Sequence, residues 1–254
     1  MLIQWFPGHM AKTKRLIIEH LKAVDVAAEL LDARIPLSSA NPMVEELLSG
    51  KPRIVILNKA DLADPGMTKA WESYYKRKGV AAVSMSCGNG KDKKKFLRLI
   101  KEAAGPMLEK WKRRGLKTRS ARIMILGIPN VGKSTLINFI SGTAAARTAN
   151  TPGHTRGKQW VRLSQGLDLL DTPGVLWPKF EDQAVGLRLA LIGSIKEEIL
   201  NTTEMSMEFI GFLKKSYPGV LVERYSADES KENLEILKAV SYTHLRAHET
   251  DQYL

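Results

Sequence analysis

The sequence holds one cysteine, Cys87, in 254 residues. That excludes an internal disulfide and a zinc centre built on several thiolates, and it fits a reducing compartment, with the cytoplasm as the expected location. No apolar run approaches the roughly 20 residues that a membrane span needs. Trp5-Phe6-Pro7-Gly8-His9 stands where a secretory signal would carry an unbroken apolar stretch, so neither export nor anchoring is expected. Acidic residues are also scarce: 27 Asp and Glu face 39 Lys and Arg, a formal charge of +12. The surplus favours a polyanionic partner, nucleic acid first and an anionic membrane surface second, although a solvated basic surface gives the same count. With 44% hydrophobic and 26% charged residues, the chain suits one large domain and a smaller appendage.

Apolar segments rich in branched residues read as buried strands over Val24 to Leu31, Arg53 to Leu57, Val80 to Ser84, Arg122 to Leu126 and Leu167 to Leu170, with Trp160 to Leu163 as an antiparallel edge. Helical spacing marks Met10 to Leu21, Met67 to Lys78, Asp92 to Ala103 and Ser134 to Ile140. The alternation predicts a doubly wound, mostly parallel α/β sheet over residues 1–180. Lys- and Arg-dense Glu109 to Arg122 reads as an exposed connector. Beyond Gln183 the patterns at Val185 to Ile192, Ile195 to Leu200 and Met207 to Lys214 predict a small all-helical domain over residues 181–240, with a turn at Pro218-Gly219. The stretch from Ser241 to Leu254 turns His- and Thr-rich, does not continue the preceding helical pattern, and reads as foreign to what precedes it. His244 and His248 there are not expected to bind metal.

Three motifs carry chemistry. Gly127-Ile128-Pro129-Asn130-Val131-Gly132-Lys133-Ser134 falls between a predicted strand and a predicted helix, the setting of a phosphate loop that runs on into Thr135. Glycines let backbone N–H groups turn toward phosphate oxygens, Lys133 reaches the β- and γ-phosphates, and Ser134 offers a hard oxygen to Mg²⁺. Asp171-Thr172-Pro173-Gly174 follows another predicted strand; Asp171 is placed to hold Mg²⁺ through water and the Gly174 N–H to face the γ-phosphate, where a plain turn is the alternative. At the end of a third strand, the Asp61 carboxylate of Asn58-Lys59-Ala60-Asp61 can accept both N1 and N2 hydrogens of guanine, a pair that adenine lacks. Asn130 can ligate K⁺ through its carbonyl and can equally hydrogen-bond the loop.

These motifs are signatures of translation-factor-related GTPases, in which Asn-Lys-x-Asp ordinarily comes last. Here it comes first, an order that resembles the circularly permuted GTPases. Trp5-Phe6-Pro7-Gly8-His9-Met10, Leu31-Asp32-Ala33-Arg34-Ile35-Pro36 and the run from Asp171 to Phe180 are similar to the ribosome biogenesis GTPase A (YlqF-type) family over residues 1–240. The resemblance implies a P-loop GTPase fold, GTP and GDP as ligands, Ser86 and Cys87 near the base, and Thr155 as a switch threonine that coordinates Mg²⁺. It also implies a potassium ion near Asn130 and a single-chain factor that binds the large ribosomal subunit and its rRNA through the basic connector and the C-terminal helices.

One absence bears on hydrolysis. Many GTPases place Gln directly after Asp-x-x-Gly to orient the attacking water, but Val175 stands there and has no polar atom to offer. The resemblance implies His9 in that role, with His154, beside Thr155, as its rival. A site lacking Gln and an arginine finger is expected to turn over slowly alone and to be stimulated by the ribosomal subunit. The competing function from another class is an RNA-binding assembly factor that keeps GTP mainly as a structural ligand.

Overall fold

The six segments expected as strands pair into one sheet in the computed structural model: β1 (Val26–Asp32), β2 (Arg53–Asn58), β3 (Ala81–Met85), β4 (Ala121–Gly127), β5 (Gln159–Leu163) and β6 (Leu167–Asp171), in the order β3-β2-β1-β4-β6-β5. The structure describes residues 15, 17–48, 50–115, 120–142, 159–163, 166–172, 174, 176 and 180–251, the side chains of 159, 197 and 243–251 excepted. All pairings are parallel except that of β5 with β6. Every residue of β1 is buried, as expected of a central parallel strand covered on both faces, which reads in sequence as a mostly apolar run. Of its two carboxylates, Asp32 ends the strand and Glu29 meets Arg53 Nε at 2.9 Å across the β1/β2 pair.

The helices of this unit are α1 (Pro36–Ser39), α2 (Pro42–Leu47), α3 (Pro65–Arg77), α4 (Gly90–Arg113), α5 (Lys133–Ser141) and α6 (Gln183–Leu191). Their starts follow from side chains that accept otherwise unpaired N–H groups: Asn41 from Met43, Asp64 from Met67, Asn89 from Lys91 and Asp182 from Ala184. Pro36, Pro42 and Pro65 occupy first-turn positions where no N–H is needed. The described part of the first expected helix, residues 15 and 17–21, is helical.

Four features depart from the sequence reading. α1 and α2 lie between β1 and β2, where no helix was expected; both are too short to show a helical period. α4 does not stop near Ala103 but runs to Arg113, so the first part of the supposed connector is helix. Phe96, Ile100, Ala104 and Trp111 continue one buried stripe, and Pro106 lies on the exposed side, where the carbonyl that it leaves without a donor can meet water. The larger compact unit extends to Lys196, so α6 belongs with the sheet rather than with the helices that follow. The smaller unit holds α7 (Thr202–Ser216), α8 (Val220–Tyr225) and α9 (Asn233–Asp251). Ile210, Leu221, Ala227 and Ile236 form its core. The helix α9 passes without a break through the segment that breaks the sequence pattern at Ser241.

Candidate functional site

Parallel α/β sheets open a crevice beyond the carboxyl ends of their strands where the strand order reverses. The order proceeds outward from β1 to β3 on one side and resumes with β4 on the other, so the crevice lies at the ends of β1 and β4, beside the end of β2. Those ends are Asp32, Gly127 and Asn58. Topology alone therefore brings the Asn-Lys-x-Asp segment to the phosphate loop although some seventy residues separate them.

The loop turns from β4 into α5 through Asn130 and Gly132, both at positive φ, 57° and 101°. Successive N–H groups in such a turn face inward and form an anion-binding concavity at a helix N-terminus. The Lys133 ammonium lies buried and donates to the carbonyls of Gly127 at 3.1 Å and Ile128 at 2.7 Å. Burial lowers its pKa to about 8, with the Asp171 charge working in the opposite direction. The Ser134 hydroxyl donates to Asp171 Oδ2 at 2.9 Å, while the buried Asp171 Oδ1 has no hydrogen-bond partner among the described residues. Burial raises the Asp171 pKa, partly offset by Ser134 and by the charge of Lys133. A buried carboxylate with one unpaired oxygen beside a serine hydroxyl is the hard-oxygen pair that a divalent cation takes alongside phosphate oxygens. Thr135 is exposed on the first turn of α5. Gly174 presses on the loop so closely that a Cβ there would stand 2.6 Å from the Pro129 backbone.

The β2 end clamps the other side. Asn58 Nδ2 donates to the Val131 carbonyl at 2.8 Å, and the Cys87 thiol approaches Asn58 Oδ1 at 3.6 Å. Burial pushes the Cys87 thiol up to about 11, which keeps it protonated and able to donate. The two contacts together orient the Asn58 amide. Lys59, in a left-handed conformation with φ 58°, donates to the Asn130 carbonyl at 2.9 Å and pairs with Asp32 at 3.2 Å. Asp61 is exposed in the short 3₁₀ turn Ala60–Leu62. Ser86 is fixed through its backbone N–H, which donates to Asp92 Oδ2 at 3.0 Å. His9, His154 and Thr155 lie outside the described residues.

Sequence reasoning missed several residues that hold these groups. Asp32, fully buried, accepts Arg34 Nε at 2.8 Å and Nη2 at 2.7 Å besides receiving Lys59. Burial alone would raise its pKa, but the Arg34 hydrogen bonds and the charges of Lys59 and Arg34 outweigh that and hold the carboxyl below its usual range. In sequence it stands at the end of an apolar strand and within the Leu31 to Pro36 segment of the family resemblance, neither of which says what it holds. Ser194, also fully buried, donates to the Pro129 carbonyl at 2.8 Å, and Asn130 Nδ2 donates to the Gly193 carbonyl at 2.6 Å. Since only the amide nitrogen can meet a carbonyl, the Asn130 Oδ1 must turn away from Gly193. No sequence signal marks Ser194, whose role depends wholly on the turn after α6. Ser194→Ala leaves the buried Pro129 carbonyl without that donor and is expected to cost about 1–3 kcal/mol of stability. Urea unfolding without nucleotide measures this, and an unshifted midpoint would mean that the loop is held elsewhere.

Comparison with known proteins agrees with this geometry. A family profile described as "50S ribosome-binding GTPase" matches residues 122–236. The protein called Ribosome biogenesis GTPase A in Bacillus cereus is 48% identical over 234 residues, covering 92% of this chain and 79% of the relative. Its namesake in Bacillus licheniformis is 48% identical, with 93% and 84% covered. Among solved structures, GNP-bound YlqF from T. maritima superposes with a TM-score of 0.61 at 26% identity, covering 90% of each chain.

Proposed function

The chain belongs to the ribosome biogenesis GTPase A family, and from that premise we propose that it is a switch in assembly of the large (50S) ribosomal subunit, binding rRNA or pre-ribosomal particles and hydrolysing GTP to GDP and phosphate. The protein is a P-loop GTPase with permuted motif order. The assembly role, the subunit and the site roles are our reading. The observation that carries the site is the clamp between its two halves: Asn58 on Val131 and Lys59 on Asn130 make base recognition and phosphate binding one unit.

In this reading Asp61 accepts the guanine N1 and N2 hydrogens, with Ser86 and Cys87 beside the base. Backbone groups of residues 130–135 receive the phosphates, and Gly174 faces the γ-phosphate. Lys133 exchanges the Gly127 and Ile128 carbonyls for β- and γ-phosphate oxygens. Ser134 and Asp171, joined by Thr155, would hold Mg²⁺, and the unpaired Asp171 Oδ1 supports this assignment. The metal, when bound, neutralises charge that develops on the transferring phosphoryl group. Asn130 presents its Oδ1 to K⁺. Val175 has no polar side-chain atom with which to orient water, so His9 takes that role, and the ribosomal subunit completes the site. A protein acting on such particles works in the cytoplasm. Among the described residues no helix is long and apolar enough to cross a membrane.

The test is GTP turnover with and without large subunits, in K⁺ and in Na⁺. Slow turnover alone, stimulation by subunits and loss of that stimulation in His9→Ala are expected. Tight subunit binding with turnover indifferent to subunits would instead mark an RNA-binding factor that keeps GTP as a structural ligand. Asp61→Asn should weaken GTP relative to xanthosine triphosphate; an unchanged preference would sink the assignment of Asp61.

A further inference from the structure

The first three turns of α4 carry an arrangement that works against the stability of the free protein. Lys91, Lys94, Lys95, Arg98 and Lys101 are all exposed. Their three- and four-residue spacing puts them on one face with Cβ atoms about 5–6 Å apart, where like charges destabilise a helix. The lysines also crowd the positive end of the helix, where carboxylates stabilise and cations do not. Two carboxylates answer them: Asp92, mostly buried and already bound to the Ser86 N–H, meets Lys95 at 3.1 Å, and Glu102 meets Arg98 at 3.7 Å. Among the described residues Lys91, Lys94 and Lys101 have no ion-pair partner. Lys94, Arg98 and Lys101 instead line a shallow groove with Leu97 and Glu102.

We propose that this face of α4 is a docking surface for the phosphate backbone of RNA. The inference rests on the ribosomal reading above and adds a contact outside both the C-terminal helices and the basic connector. A row of cations at regular spacing meets a row of phosphates and releases their condensed counterions, and the repulsion within the row is relieved on binding. A lipid surface fits less well. An interfacial helix needs a free apolar face, and the opposite side of α4, with Phe96, Ile100 and Ala104, is buried. Backbone contacts of this kind position a protein on RNA without reading its sequence.

The experiment replaces Lys94, Arg98 and Lys101 together by Gln and measures binding of the full GTP-loaded chain to deproteinised large-subunit rRNA and to purified large subunits over a series of KCl concentrations. The slope of log affinity against log salt is expected to fall by about 2 to 3, one phosphate contact for each cation removed. GTP affinity without RNA should be unchanged. The comparison variant removes the same charge from exposed positions of α3, as Lys69→Gln, Lys76→Gln and Arg77→Gln, and should leave the slope nearly as it was. Equal slopes for wild type and the α4 variant, or equal losses in the α3 and α4 variants, would overturn the surface while leaving the ribosomal reading intact. A wild-type chain that binds neither rRNA nor subunits would overturn both.

Discussion

Lys133→Met is expected to cut turnover steeply and, without nucleotide, to remove the rise of stability with pH that the buried ammonium imposes on the wild type. The buried ammonium has its pKa lowered from 10.5 to about 8 by burial, a shift equivalent to about 3 kcal/mol against the charged form at neutral pH. Between pH 8 and 10.5 the unfolded chain binds more protons than the folded one, so wild-type stability rises with pH across that window; below it the penalty is constant. Methionine fills much of the same space without the charge. It also forfeits the hydrogen bonds to the Gly127 and Ile128 carbonyls, at about 1–3 kcal/mol each, which offsets the relief from the buried charge at pH 7. Denaturant unfolding at pH 7 and again above pH 10 separates the contributions: relative to wild type, the variant should lose about 3 kcal/mol between the two. Turnover should fall by about 10² to 10³, the cost of removing one positioned cation or donor from developing negative charge. The same stability difference between variant and wild type at both pH values would refute the claim that the fold tolerates a costly buried cation for the sake of phosphate.

That cost shows why part of the site was legible in sequence and part was not. The phosphate loop, Asn-Lys-x-Asp and Asp-Thr-Pro-Gly are contiguous, and each follows an apolar strand, so composition and spacing together reveal them. Parallel strands buried on both faces also announce themselves, since β1 must be apolar except where Arg53 can reach Glu29 and where Arg34 and Lys59 meet Asp32 at its end. The residues that hold the motifs in place are different in kind. Asp32 acts on Lys59, Ser194 on Pro129, and Cys87 on Asn58, each through a contact that exists only after the sheet has brought distant segments together. A lone serine after a helix looks the same whether it faces water or a loop carbonyl. The misread connector has a similar origin: charge density suggested an exposed linker, but the buried Trp111 continues the stripe of α4 on the side away from those charges.

The coupling of distant segments gives Gly132→Ala its expected size. At φ 101° an L-residue pays about 1–2 kcal/mol, and the new Cβ would stand 2.6 Å from Asn58 Nδ2. Asn58 must then move, which breaks its bond to the Val131 carbonyl at a further cost of about 1–3 kcal/mol. Loss of both should weaken GTP and GDP binding by about 10² to 10³, and the damage should reach base recognition as well as the phosphates, because Asn58 leads directly into Lys59 and Asp61. Fluorescence titration with a labelled nucleotide reads the loss, and a double-mutant cycle reads its cause. Asn58→Ala removes the atoms that the added methyl group would strike, so the combined variant should lose less affinity than the two single losses predict, with a coupling of about 1 kcal/mol or more. Strict additivity would mean that the two motifs are only neighbours. A clear shortfall would mean that a glycine in the phosphate loop is required by an asparagine in the base-reading segment, a dependence that permutation of the chain leaves intact because it resides in the sheet rather than in the order of the motifs.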